Sequence, residues 1–365
     1  MSGHTIILTT GGTGGHIFPA LAVGQAMRAK SPDTDLVFVG GLYGQEKELV
    51  AKAGIRFIGL PARGFIGRGI KAAGAAMSMG KSWFMAKKIL KELKPDVVIG
   101  FGGYACFATV FAACGSIPTL IHEQNAIPGA SNKLLGRFAD RICLSLPDVS
   151  GAFPPEKCVL TGNPVRTDIR LVQKRPGPAP RLLIMGGSQG AVALNNLAVG
   201  MLASLRDAGI AILHQTGRKD CERVRAAYRS HGYSDDDVLR MVRPFLDDMA
   251  AIYAETDLAL CRAGATTMAE LALTRTPSLL VPFPHAAHNH QVRNAEAMQD
   301  AGGAVMIEEK DLKASETAAL LISLLRDSDR LRLMAEGAGS LAKPGAAEAV
   351  AAEAFRLIDA SRRKQ

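Results

Sequence analysis

Short apolar runs that end in glycine or a polar turn alternate with longer stretches of helical spacing along the whole chain. In the first half HTIILTT, DLVFVG, RFIGL, DVVIGFG, PTLIHE and RICLS read as strands, because unbroken apolar and β-branched runs suit strands covered on both faces. Helical stretches separate them, so the pattern predicts parallel strands with crossover helices. Around residues 162–181 the pattern breaks into GNPVRTDIRLVQKRPGPAPR, whose prolines at 176, 178 and 180 read as a linker. The alternation then restarts with RLLIMGGSQGA, IAILHQTG, DVLRMV, TDLALCRAGA and PSLLVPF. Each half opens with a strand running into a glycine-rich turn and a helix. The predicted class is α/β, two Rossmann-like domains facing across a cleft, spanning 1–163 and 164–345. Residues 346–365, AAEAVAAEAFRLIDASRRKQ, form one more amphipathic helix, and the pattern does not say where it docks.

The two glycine turns are the first chemical signal. GGTGGH (11–16) and GGSQGA (186–191) each follow the first strand of their half. Such a turn leaves free N–H groups at a helix N-terminus, where the dipole favours an anion. Glycine lets backbone approach a phosphate that a Cβ would hold off. Neither turn is a dinucleotide fingerprint, because Ile17 stands where the third glycine of G-x-G-x-x-G belongs. A single turn of this kind fits a tight βα connection equally well; two in equivalent places favour phosphate.

Composition narrows the partner. The 365 residues exceed what one core usually supports, and the formal charge of +9 favours an anion. Aromatics make up 5% of the chain, with one Trp and no RNA-binding signature, so nucleic acid is not expected. The six cysteines are scattered with no C-x-x-C pair, which fits reduced thiols in a cytosolic protein. The N-terminal stretch is not a signal peptide, and no apolar run is long enough to span a bilayer.

Several near-motifs fail. GKS at 80–82 lacks the P-loop glycine, since Ala75 stands there. Asp33–Asp35 precedes a strand, the wrong side for a ligand cleft, and Asp235–Asp237 reads as another solvated turn. His285, His288 and His290 lack a carboxylate at ligand spacing, so neither a metal nor a cofactor is expected. Polar clusters at strand ends are more informative. HEQNAIPG (122–129) places four hydrogen-bonding side chains after PTLI. CRAGATTMAE (261–270) sets Gly264 at a turn, Thr266 and Thr267 in a first helical turn, and Glu270 beyond. A carboxylate there suits vicinal ribose hydroxyls, although an isolated Glu on a helix surface is the commoner case. Gln291, after VPFPHAAHNH, supplies an amide suited to sugar hydroxyls.

Together GGTGGHIFP, HEQNAIPG, GNPVRTD, GGSQGA, CRAGATTMAE and HNHQ, in this order, make the chain resemble the MurG family of GT-B peptidoglycan glycosyltransferases over essentially its whole length. The resemblance implies transfer of GlcNAc from UDP-GlcNAc to lipid I, undecaprenyl-diphospho-MurNAc-pentapeptide, giving lipid II. It further implies a peripheral protein on the cytoplasmic face of the inner membrane, with cell-wall and division proteins as partners. The helix at about 346–365 is expected to pack back on the first domain.

Carried over residue by residue, Ser188 meets the donor pyrophosphate, Glu270 the ribose and Leu246 the uracil. Ala265, Thr266, Thr267, Met268 and Ala269 line diphosphate and ribose; Arg166 supplies positive charge; Asn125 and Gln291 read GlcNAc hydroxyls. Thr13, Gly14 and Gly15 are expected where the acceptor diphosphate approaches. His16 has two readings, general base or spacer of the glycine turn. The sequence departs from the family at Ala263, often Ser, and at Leu246, often Ile. In residues 65–88, Ile70, Met79, Trp83 and Phe84 mix with Arg68, Lys71, Lys81, Lys87 and Lys88, the make-up of a surface-lying basic segment on an anionic membrane. A UDP-GlcNAc 2-epimerase of the same fold and a non-catalytic nucleotide-sugar-binding regulator are the alternatives.

Overall fold

A computed structural model of the chain describes residues 3–11, 14–43, 46–62, 72–148, 150–170, 172–175, 177–286 and 289–363. Gly12, Thr13, Arg68, Ile70, Lys71, Pro176 and His288 therefore lie outside the described residues. Two compact units are present, Met1–Arg166 with Lys343–Gln365, and Thr167–Ala342.

The first unit runs β1 (Thr5–Thr9), α1 (Gly14–Lys30), β2 (Asp35–Gly41), α2 (Glu46–Lys52), β3 (Arg56–Leu60), α3 (Ala72–Leu93), β4 (Val97–Gly100), α4 (Tyr104–Ala113), β5 (Thr119–Glu123), α5 (Ala130–Leu135), β6 (Arg141–Leu144) and β7 (Cys158–Leu160). The second runs α6 (Thr167–Arg170), β8 (Arg181–Met185), α7 (Val192–Asp207), β9 (Ala211–Gln215), α8 (Cys221–Ser230), α9 (Asp235–Met241), β10 (Val242–Arg243), α10 (Met249–Glu255), β11 (Leu258–Cys261), α11 (Ala265–Leu273), β12 (Ser278–Leu280), α12 (His290–Asp300), β13 (Ala304–Met306), α13 (Ala314–Arg326) and α14 (Ser328–Ser340). The final helix, α15 (Ala346–Arg362), belongs to the first unit.

Both sheets are parallel, ordered β3-β2-β1-β4-β5-β6-β7 and β10-β9-β8-β11-β12-β13. In each the order reverses beside the first strand, between β1 and β4 and between β8 and β11. Open α/β sheets bind ligands at the carboxyl ends of strands flanking such a reversal. Both glycine turns are therefore in the ligand position of their own sheet.

Side-chain alternation explains why the strands read as unbroken apolar runs. Ile6, Leu8, Leu36, Phe38, Val97 and Ile99 pack on one face of the first sheet with α1 and α15, while Ile7, Val37, Val39, Val98 and Ile121 pack on the other with α3 and α4. The apolar positions Ala347, Val350, Ala351, Ala354 and Ile358 recur at helical spacing and close the first face. Arg141 pairs with the buried Glu353 at 3.2 Å, and Arg362 with Asp96 at 2.9 Å, fixing the helix on its sheet.

Four elements differ from the sequence reading. DVLRMV is mostly helix: Ser234 caps α9 by accepting from the Asp237 N–H, and three acidic residues occupy its first turn, so only Val242–Arg243 pairs as strand. The linker stretch contains the short α6. The three-residue strands β7 and β13 carry too few positions for a period to show.

Candidate active site

In the first unit the chain leaves β1 at Thr9 and enters α1 at Gly14, so His16 sits in the first helical turn, half-buried. The turn after β4 backs onto it. The Gly11 N–H donates to the Gly102 carbonyl at 3.0 Å, and a Cβ on Gly103 (φ +90°) would fall onto the Gly11 carbonyl oxygen. A Cβ on Gly102 (φ +97°) would stand 3.2 Å from His16 Cε1 and 3.3 Å from its Nδ1. Glycine is thus required partly because protein backbone and the imidazole fill the space, before any phosphate is considered. Gly15 lies exposed beside His16. Arg166 is half-buried with its guanidinium 5.1 Å above the Phe18 ring, and that same ring lies 3.0 Å from where a Gly14 Cβ would be.

The HEQN cluster at the end of β5 proves to be mostly scaffold. His122, Glu123 and Gln124 are buried; only Asn125 is half-exposed. Glu123 Oε1 accepts from the Asn125 N–H (2.9 Å) and Nδ2 (3.2 Å), and Oε2 from the Gly129 N–H (3.1 Å) and Asn132 Nδ2 (2.9 Å). Such a saturated carboxylate fixes the loop that presents Asn125. Gln124 donates to the Phe101 carbonyl at 3.0 Å, and His122 Nε2 to the Gly162 carbonyl at 3.1 Å. Burial holds the His122 imidazole neutral, with its pKa lowered to about 4, against the opposing pull of that carbonyl.

In the second unit the turn after β8 is built alike. The Gly190 N–H donates to the Gly187 carbonyl at 2.8 Å, and a Cβ on Gly190 (φ +75°) would meet the Thr216 carbonyl. Ser188 is half-buried at its tip. Behind the turn Asn195 donates to the Thr216 carbonyl (3.0 Å) and to Asp220 (2.6 Å) while its Oδ1 accepts from His214 Nε2 (3.1 Å). His214 Nδ1 then accepts from the Tyr228 hydroxyl at 3.1 Å. Burial lowers the His214 pKa to about 3.

Beside this turn, β11 delivers Gly264 and the N-terminus of α11. Ala265, Thr266, Thr267 and Ala269 are half-buried in the first turns, Met268 faces inward, and no acidic residue opposes the helix dipole there. Glu270 is 9% exposed, and its Oε2 accepts from the Tyr253 hydroxyl at 3.0 Å. The buried Arg262 holds the neighbouring loop by donating to the Val281 and Pro282 carbonyls, each at 3.1 Å, and by pairing with Glu309. Gln291, half-buried in the first turn of α12, accepts from the Phe283 N–H at 3.0 Å. Leu246 is buried in the loop after β10.

On α3, Met77 and Phe84 are 76% and 69% exposed and alternate with the exposed Lys81 and Lys88, forming a stripe at helical spacing. Met79 and Trp83 pack against the core beneath, and Lys87 Nζ lies 4.3 Å over the Trp83 ring. Among the described residues, no helix is long and apolar enough to cross a membrane.

Sequence reasoning missed the turn after β4, although FGGY carries the same strand–glycine–helix signal as the other two. It also missed Tyr253, Asn195 and Arg262, which reach the sites from behind.

Two Rossmann sheets with a glycine turn at each reversal make up the GT-B fold, the fold class of this chain. The chain belongs to glycosyltransferase family 28: the family's N-terminal domain matches residues 6–144 and its C-terminal domain residues 181–350. It is similar, at 49% identity over 351 residues (94% of this chain, 95% of the relative), to the UDP-N-acetylglucosamine–N-acetylmuramyl-(pentapeptide) pyrophosphoryl-undecaprenol N-acetylglucosamine transferase of Nitratidesulfovibrio vulgaris strain DP4. The enzyme of that name from Anaeromyxobacter sp. strain K is 42% identical, over 97% of this chain and 93% of its own. The crystal structure of Acinetobacter baumannii MurG superposes with a TM-score of 0.73 at 30% identity, covering 96% of this chain and 99% of that one. A UDP-N-acetylglucosamine 2-epimerase at 15% identity, with a TM-score of 0.68 over 100% of this chain and 98% of that one, shares the fold alone.

Proposed function

We propose that this glycosyltransferase moves GlcNAc from UDP-GlcNAc to the MurNAc 4-hydroxyl of lipid I, forming lipid II. The observation that carries the reading is the near-full-length identity to transferases so named, with His16, Asn125, Glu270 and Gln291 all present. The second unit is the donor half. Amides at the N-termini of α7 and α11, with Ser188, meet the pyrophosphate; Thr266 and Thr267 line it; Glu270 takes the ribose diol, Leu246 borders uracil and Gln291 reads the sugar. The first unit takes the acceptor. Thr13, Gly14 and Gly15 are assigned to its diphosphate, while Asn125 reads GlcNAc hydroxyls of the donor with Gln291, and Arg166 adds a planar cation toward the nucleotide.

The donor is α-linked and the product β-linked, so one in-line displacement inverts C1. The bond from C1 to the UDP oxygen breaks as the bond to the acceptor 4-oxygen forms, and UDP leaves with the electron pair. Helix N-termini and Arg166 stabilise the departing charge, and His16 receives the acceptor proton. Lipid I is membrane-bound, and the basic–apolar stripe of α3 is the surface that meets anionic headgroups. Incubation with UDP-GlcNAc and a short-chain lipid I analogue should yield a β-linked GlcNAc–MurNAc product by NMR. Conversion of the donor to its 2-epimer with the acceptor untouched would overturn the reading.

A further inference from the structure

The ribose assignment of Glu270 leaves open what keeps that carboxylate in place. Tyr253 is fully buried on α10, and its hydroxyl donates to Glu270 Oε2 at 3.0 Å. The end of α10 is itself clamped. Lys174, in the stretch between α6 and β8, donates through Nζ to the Tyr253 carbonyl, the Thr256 carbonyl and Thr276 Oγ1, each at 2.8 Å, while the Arg175 N–H donates to the Ala254 carbonyl at 2.7 Å. The lysine also reaches Glu270 by a second path: Thr276 Oγ1 lies 2.8 Å from Thr274 Oγ1, which donates to the Glu270 carbonyl at 2.8 Å. Side chain and backbone of one glutamate are thus tied to a single ammonium group held by three hydrogen bonds.

We infer that Tyr253 is a positioning residue for the donor site: its phenol sets the Glu270 carboxylate toward the ribose hydroxyls, and Lys174 holds the helix that carries it. The inference rests on the ribose reading of Glu270. A carboxylate fixed by a buried phenol has less orientational freedom to lose when a diol arrives, so the contact strengthens binding of ribose-bearing nucleotides in particular. A phenol that merely filled the core would support every nucleotide alike.

The test is calorimetric binding of UDP and of 2′-deoxy-UDP to the full chain and to Tyr253→Phe, Glu270→Gln and the double variant. The ratio of the two affinities does not depend on the fraction of folded protein, so partial misfolding cannot mimic the result. Tyr253→Phe should weaken UDP by about tenfold while leaving 2′-deoxy-UDP within about twofold, the loss of one charge-assisted hydrogen bond at one edge of the ligand. The double variant should match Glu270→Gln. Lys174→Gln, which leaves the phenol intact, should narrow the ratio in the same direction. Equal weakening of both nucleotides by Tyr253→Phe, or an unchanged ratio while Glu270→Gln collapses it, overturns the inference and spares the ribose reading. An unchanged ratio in Glu270→Gln overturns the ribose reading itself.

Discussion

Glu270 and His16 make opposite demands on a measurement. As the proposed ribose ligand, Glu270 would contact donor in the ground state as well as the transition state, so Glu270→Gln should weaken UDP-GlcNAc by about 1.5–3 kcal/mol in calorimetry. Unchanged donor affinity removes it from the ribose. His16 is the proposed base for the acceptor proton, so His16→Ala should lower kcat by about 10²–10⁴ with donor affinity nearly intact. A spacer would instead raise acceptor KM, and near-full kcat at saturating acceptor would hand proton removal to another group. Two other histidines give a pH signature. His122 and His214 are buried neutral, with pKa values lowered to about 4 and about 3. As pH falls below about 6.5 the unfolded chain binds protons that the fold refuses, so stability drops by up to about 1.4 kcal/mol per pH unit for each histidine. The loss ends for each as pH passes its folded value. Denaturant midpoints should therefore fall between pH 6.5 and 4, and less steeply in His122→Gln; an identical slope would place His122 in contact with solvent. The sequence marked Glu270 and His16 through their motifs. Tyr253 and Lys174 were not legible, because each meets its partners only after distant segments pack.

At the scale of elements, α3 separates two kinds of apolar residue that composition lumps together. Met77 and Phe84 face outward with Lys81 and Lys88, whereas Met79 and Trp83 rest on the core. Replacing Met77 and Phe84 with Ser should reduce partitioning onto anionic vesicles, with stability changed by no more than about 0.5 kcal/mol. Replacing Trp83 with Ser should instead cost about 3 kcal/mol of stability through lost packing. Vesicle binding that survives the first pair would assign the stripe to bulk solvent. Most strands were legible because both faces of each sheet are covered and the apolar runs are unbroken. DVLRMV misled because its strand is two residues long; the cap Ser234 and the acidic run after it were the better signal.

At the scale of the molecule, repetition along the chain revealed two Rossmann units, but not which strands lie side by side. The reversal between β1 and β4, and between β8 and β11, is a fact of pairing that no local pattern contains, and it puts each glycine turn at a ligand position. The same holds for α15, whose apolar face is legible and whose partner is not. Deleting residues 346–365 should uncover α1 and one face of the first sheet, so the first unit melts early while UDP binding, assigned by the proposal to the second, persists. Loss of both in a single transition would contradict that division. Acceptor-dependent transfer shows itself in the rate of UDP release from UDP-GlcNAc with and without lipid I. Transfer predicts negligible release alone and rapid stoichiometric release with lipid I; equal release in both, or none in either, would contradict it.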